Sequence, residues 1–173
     1  MRKIVLICLF GLFTISLLAQ QNQTAAIPQW FLEAIEEMVG EWKTSNAKYQ
    51  GKDDPYEAFG MFWEKGVDGK SMKGTLYGFY DGKKTVPIWE FRSYWHPADK
   101  KVYALQFGFG GLFGSGEMLP GTIDQTFFNP DGSFFRAGHK SEMKNNQHIT
   151  ASFNIDENGE WTPRRNYTWD KVK

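Results

Sequence analysis

The spacing of apolar positions along this chain changes once, at Gly40. Before it, Trp30, Phe31, Ala34, Ile35 and Met38 recur at steps of three and four, with Glu33, Glu36 and Glu37 on the other side. That pattern predicts an amphipathic helix, opened by Pro28 and stopped by Gly40. At roughly ten residues it is marginal alone and must lay its apolar stripe on another element. After Trp42 the period becomes two. Strand-length segments fall at 41–50, 57–65, 71–80, 85–95, 101–109, 122–129, 133–143, 147–155 and 160–171, with a weaker piece at 112–119. The connectors are short and carry turn residues, among them Asp81-Gly82-Lys83, Asn129-Pro130-Asp131-Gly132 and Asp156-Glu157-Asn158-Gly159. Strands in succession without crossover helices form a meander, and closing it removes the exposed edges. The expectation is an all-β fold: an antiparallel up-and-down β-barrel of nine or ten strands, one short N-terminal helix capping an end.

The alternation also sorts side chains by face. Inward sets are Phe59, Met61 and Trp63; Met72, Gly74, Leu76 and Gly78, the glycines leaving room; and Trp89, Phe91, Ser93 and Trp95. Further on they are Phe135, Ala137, His139, Ser141 and Met143, then Ile149, Ala151, Phe153 and Ile155, with His148 outside. Segments 101–109 and 122–129 are ambiguous; the reading leans to Leu105 and Phe107, and to Gln125 with Phe127. On the last strand Trp161, Pro163, Arg165, Tyr167 and Trp169 share one face. A guanidinium there needs a partner, since an unpaired buried charge costs several kcal/mol. Two readings stand: Arg165 stacks on Trp42 as a latch over the barrel end, or it holds a ligand carboxylate together with Tyr167.

The start of the chain has a different character. Arg2 and Lys3 precede an apolar run of about 15 residues, shorter than the ~20 of a membrane-spanning helix, and a polar Gln20-Gln21-Asn22-Gln23 follows. This is the layout of a secretory signal peptide. Residues 1–19 are expected to be the signal, 20–28 a flexible lead-in and 29–173 the barrel domain. A secreted or periplasmic protein with no membrane span after cleavage follows. The one cysteine, Cys8, lies inside the apolar run, so the mature chain uses neither disulfides nor thiolate chemistry.

Charge excludes one class of partner. The chain carries 20 Lys+Arg and 20 Asp+Glu without a basic stripe, so nucleic acid is not expected. Seven Trp, seven Tyr and fifteen Phe suit a dense core or a stacking pocket. The glycine-rich stretch Gly108 to Gly116 has no helix after it, so it is a bend or an apolar lip at the barrel mouth and not a phosphate cradle.

Gly40-x-Trp42-Lys43 at the first strand, and Arg165-x-Tyr167 with Lys171-Val172 at the last, resemble the calycin group, the lipocalins and fatty-acid-binding proteins. The resemblance covers roughly 29–173 and is nearest to secreted bacterial lipocalin-like domains of unknown function. It implies an antiparallel barrel around an apolar cavity. In fatty-acid-binding proteins the Arg-x-Tyr pair implies carboxylate recognition; in lipocalins a late Arg over the Gly-x-Trp tryptophan is structural. The chain departs from the first by having only a loop, 51–55, where a helix pair would stand, and from the second by lacking their cysteines. Nitrobindin-like barrels bind haem through a histidine, for which His139 would be the candidate. Their opening motif has glycines after the tryptophan, where this chain has Lys43-Thr44-Ser45, so no cofactor is expected.

No His/Cys/Asp cluster has metal-ligand spacing, and no nucleophile–base–orienter set is visible. The expected function is binding, as storage, transport or scavenging, of a small hydrophobic molecule that could be a lipid carboxylate. Trp63, Trp89, Phe91, Phe107 and Phe127 would line the cavity, with His139, Gln125, Arg165 and Tyr167 as polar anchors. The alternative is a cofactor-free isomerase or cyclase on a lipid-like substrate, which would need Glu90 to point inward as a base.

Overall fold

The computed structural model describes residues 26–51 and 54–172. The expected signal peptide and most of the lead-in lie outside the described residues. Helix α1 (Gln29–Met38) leads into β1 (Gly40–Ser45), β2 (Ala58–Lys65), β3 (Ser71–Tyr80), β4 (Lys83–His96) and β5 (Lys101–Gly108). Then come β6 (Phe113–Leu119), β7 (Thr122–Phe128), β8 (Phe134–Lys144), β9 (Gln147–Ile155) and β10 (Trp161–Lys171). Each strand pairs antiparallel with the next, and β1 closes the ring on β10 through Trp42 opposite Lys171. The all-β, ten-strand closed barrel with one short leading helix is therefore the observed fold. The weakest segment by alternation, 112–119, contains a full strand, Phe113–Leu119.

The helix closes one end. Phe31, Ile35 and Met38 are buried in one cluster with Trp42, Met61, Trp63, Met72, Val102 and Trp169. The Trp42 indole N–H donates to the carbonyl of Met38 at 2.8 Å, tying the helix terminus to β1. This cluster is the core, and it runs from the helix along β2 as far as Phe59, which meets Tyr167 edge-on at 5.9 Å.

Glycines opposite aromatic residues shape the wall. A Cβ on Gly74 would stand 2.5 Å from the Trp63 ring, and one on Gly114 would stand 2.5 Å from Phe127. The register places Gly74 opposite Trp63 and Gly114 opposite Phe127, so each ring lies over its glycine. The room expected at the β3 glycines is there, and aromatic rings fill it: Trp63 over Gly74 and Tyr56 over Gly78. Of the glycine-rich stretch, only Phe109–Gly111 forms the bend, while Gly114 and Gly116 are strand residues.

Three register shifts break the alternation, two between β3 and β4 and one between β9 and β10. Trp89 faces Leu76 while Pro87 faces Tyr77, so Ile88 is the extra residue on β4. Pro163 faces Phe153 while Arg165 faces Ser152, so Arg164 is the extra residue on β10. At such a bulge two residues oppose one partner and parity shifts. Trp161 and Pro163 therefore lie on the outer face, where Trp161 packs on Phe153 at 5.3 Å, while Arg165, Tyr167 and Trp169 face inward.

Candidate functional site

Away from the helix the barrel holds a cavity of about 600 Å³. Its two walls differ in chemistry. On β2 to β4 the lining is apolar: Phe59, Met61, Trp63, Leu76, Trp89 and Phe91. Trp63 and Phe91 stack at 5.3 Å and 23°. Trp89 meets Phe127 edge-on at 5.9 Å, and Phe127 lies flat on Phe135 at 5.1 Å and 8°.

On β8 to β10 the lining is polar. The register sets His139, Ser152 and Arg165 in one cross-strand row, and Ser141, Thr150 and Tyr167 in the next. His148 and Trp169 form the row nearest the helix, and all but Ser141, Thr150 and Ser152 carry a ring or a charge. Trp169 donates its indole N–H to the Thr150 hydroxyl at 3.0 Å. The inner face of β9 is thus His148, Thr150 and Ser152. This corrects the sequence expectation, which put Ile149, Ala151 and Phe153 inside. Those residues cover the outside, where Phe153 packs on Trp161 and the Lys140 ammonium stands 5.3 Å from both rings.

At the mouth, the loop after β1 packs across β10. Asn46 is fully buried. Its amide donates to the Tyr56 carbonyl at 2.8 Å, and its oxygen accepts from the Tyr167 hydroxyl at 2.8 Å. Arg165 donates to Tyr167 at 3.3 Å and forms an ion pair with Asp54. Burial opposes the Arg165 charge, and the hydrogen bonds to Asp54 and Tyr167 more than offset it. Burial pushes the Tyr167 hydroxyl up, against the pull of Arg165.

The latch on Trp42 is not formed by Arg165. Trp42 is opposite Lys171, whose ammonium stands 5.1 Å from the indole. Arg165 lies ~20 Å further along β10 at ordinary strand rise.

Both inward histidines are neutral at pH 7. Burial takes the His139 imidazole down to about 4, with the nearby Arg164 charge adding to the shift. Burial alone takes His148 to about 4, and its buried Nδ1 has no hydrogen-bond partner among the described residues. His148 lies edge-on to Trp42 at 5.9 Å.

Of the nine expected site residues, seven line the cavity: Arg165, Tyr167, His139, Trp63, Trp89, Phe91 and Phe127. Gln125 is buried behind it. Its amide donates to the Ala104 carbonyl at 3.2 Å, and its oxygen accepts from Gln106 at 2.6 Å, so it braces β7 on β5 and is not free to hold a ligand. Phe107 is on the outer face, 43% exposed and 5.4 Å from Phe113. On β5 the inner set is Val102, Ala104 and Gln106, because the Gln106–Gln125 bond satisfies a polar group that would otherwise belong outside. The residues missed were Ser152, Thr150, His148 and Arg164. The regular alternation of 161–169 gives no sign of the bulge that turns Arg164 inward, and the polar residues of β9 alternate like an outer face. Glu90 is exposed on the outer face, so the isomerase alternative lacks its base.

No family model matches the chain, and no curated protein matches it. Its fold is similar to the crystal structure of Rv2717c from M. tuberculosis, with a TM-score of 0.50 over 86% of this chain and 100% of that one, at 10% sequence identity. At that identity the likeness speaks for the fold alone.

Proposed function

We propose that the barrel binds one small hydrophobic molecule with a polar edge, as a store, carrier or scavenger, in an exported setting. The observation that carries this reading is the division of one 600 Å³ cavity into an aromatic wall and a wall of hydroxyls and imidazoles. Ligand pockets are of this size, mostly apolar, with a few convergent polar groups. The resemblance to calycins extends to one structural detail: a late cation lies over the Gly-x-Trp ring, here Lys171. Among the described residues no helix is long and apolar enough to cross a membrane.

The test uses an uncharged fluorescent probe, N-phenylnaphthylamine, with native mass spectrometry of the purified protein for co-purified small molecules. Saturable binding at one site, weakened by Phe91→Ser, is expected. No saturable binding and no bound molecule would remove the reading.

A further inference from the structure

We propose that the cavity recognises an amphiphilic anion, and that Arg164 reads its charge. This rests on the binding function proposed above and names the class of ligand: a flat apolar body ending in a carboxylate, sulfate or phosphate.

The sequence marks Arg165 as the cation of the last strand, but the structure neutralises it. Asp54 is its ion-pair partner, and Tyr167 takes a further hydrogen bond. Asp54 is also the one carboxylate among the described lining residues. With that pair cancelled, the charges left over are those of Arg164 and Lys140, and the Lys140 ammonium is turned to the outer rings of Phe153 and Trp161, 5.3 Å from each.

The bulge on β10 puts it there. Pro163 faces Phe153 and Arg165 faces Ser152, so Arg164 and Arg165 together oppose Ser152. In a regular strand Arg164 would alternate to the outside; with the extra residue it lines the cavity. Its charge reaches His139, which stands directly opposite Ser152 on β8. Among the described residues Arg164 forms no ion pair and no ring contact, and it is exposed. It is an unpaired guanidinium at the rim of an aromatic cavity, beside a neutral imidazole and a serine hydroxyl. Those groups match an anion: the guanidinium supplies charge in a planar fork and the imidazole a neutral donor, while the Ser152 hydroxyl donates to the Arg165 carbonyl at 3.4 Å. The opposite wall, with Trp63 stacked on Phe91, suits a flat apolar body.

The test compares anilinonaphthalene sulfonate with N-phenylnaphthylamine, two probes that share a ring system and differ in the anion. Wild-type protein is expected to bind both, each displacing the other. Arg164→Gln should weaken the sulfonate about tenfold, the scale of one charge-assisted hydrogen bond, and leave the uncharged probe unchanged. Arg164→Lys should recover part of the loss. Equal weakening of both probes, or no change for the sulfonate, overturns the role of Arg164. Wild-type protein that binds the neutral probe and not the sulfonate overturns the anion class while leaving the cavity function standing. Binding of neither removes both.

Discussion

Asp54, on the loop after β1, forms an ion pair with Arg165 on β10, and the carboxylate is the deeper partner: its side chain is 11% exposed against 36% for the guanidinium. The Asp54 Oδ1 atom is buried without a partner among the described residues. The pair ties the loop to the barrel rim and keeps Arg165 from acting as a free anion site.

Breaking the pair from either side should have different effects. Arg165→Gln strands a buried carboxylate; the cost should be ~1–2 kcal/mol, below the ~3–5 of a fully buried pair because the guanidinium is partly solvated. Asp54→Asn frees the guanidinium and should raise sulfonate-probe affinity severalfold. Urea unfolding and probe titration of the two single variants and the double variant check this. An Asp54→Asn protein with unchanged anion affinity would mean Arg165 cannot reach the cavity.

The glycine seats make a packing prediction. A methyl group on Gly74 would stand 2.5 Å from the Trp63 ring, and Trp63 is only 9% exposed. Gly74→Ala must push the indole toward the cavity. Overpacking of this kind costs ~1–3 kcal/mol, and affinity for the neutral probe should fall with it. Unchanged stability and an unchanged tryptophan emission spectrum would show that the ring moves freely, contrary to the packing described.

The fold was legible because period two persists from Gly40 to Lys171 and Asp-Gly or Asn-Gly turns punctuate it. The cavity walls were legible only on one side. On β2 to β4 apolar residues do face in, and Trp63, Trp89 and Phe91 were placed by alternation. On β9 the same rule inverts the strand, because the cavity-facing wall is the polar one and the outside is covered by Phe153, Trp161 and the Lys140 side chain. Alternation reports which positions share a face; it does not report which face is wet. The bulge at Arg164 defeats it in another way, since one extra residue reverses parity for everything before it.

The outer aromatic residues test that inversion. Phe107, Phe113, Phe128 and Phe134 are cross-strand neighbours on the exterior of β5 to β8. Phe107→Ala should leave probe affinity within twofold of wild type, because the ring contacts Phe113 and not the cavity. Phe127→Ala, by contrast, removes a ring that is 3% exposed. It should cost ~3–5 kcal/mol and abolish probe binding with it. Equal effects of the two substitutions, measured by probe titration and urea unfolding, would contradict the assigned faces.

The two buried histidines set the pH response. His139 and His148 have folded-state values of about 4 against an ordinary 6.5. Below pH 6.5 the unfolded chain takes up protons that the folded one refuses. The stability held by the neutral rings is therefore complete above 6.5 and drains as pH falls toward 4. The slope is up to about 1.4 kcal/mol per pH unit for each ring. Between pH 6.5 and 5 ordinary carboxylates stay ionised in both states, so the histidines dominate that window. His148→Phe, which keeps an aromatic ring against Trp42, should halve the slope of urea-derived stability between pH 6.5 and 5. A slope as steep as that of wild type would mean that His148 is protonated in the folded state and that its burial beside Trp42 is not what holds it neutral.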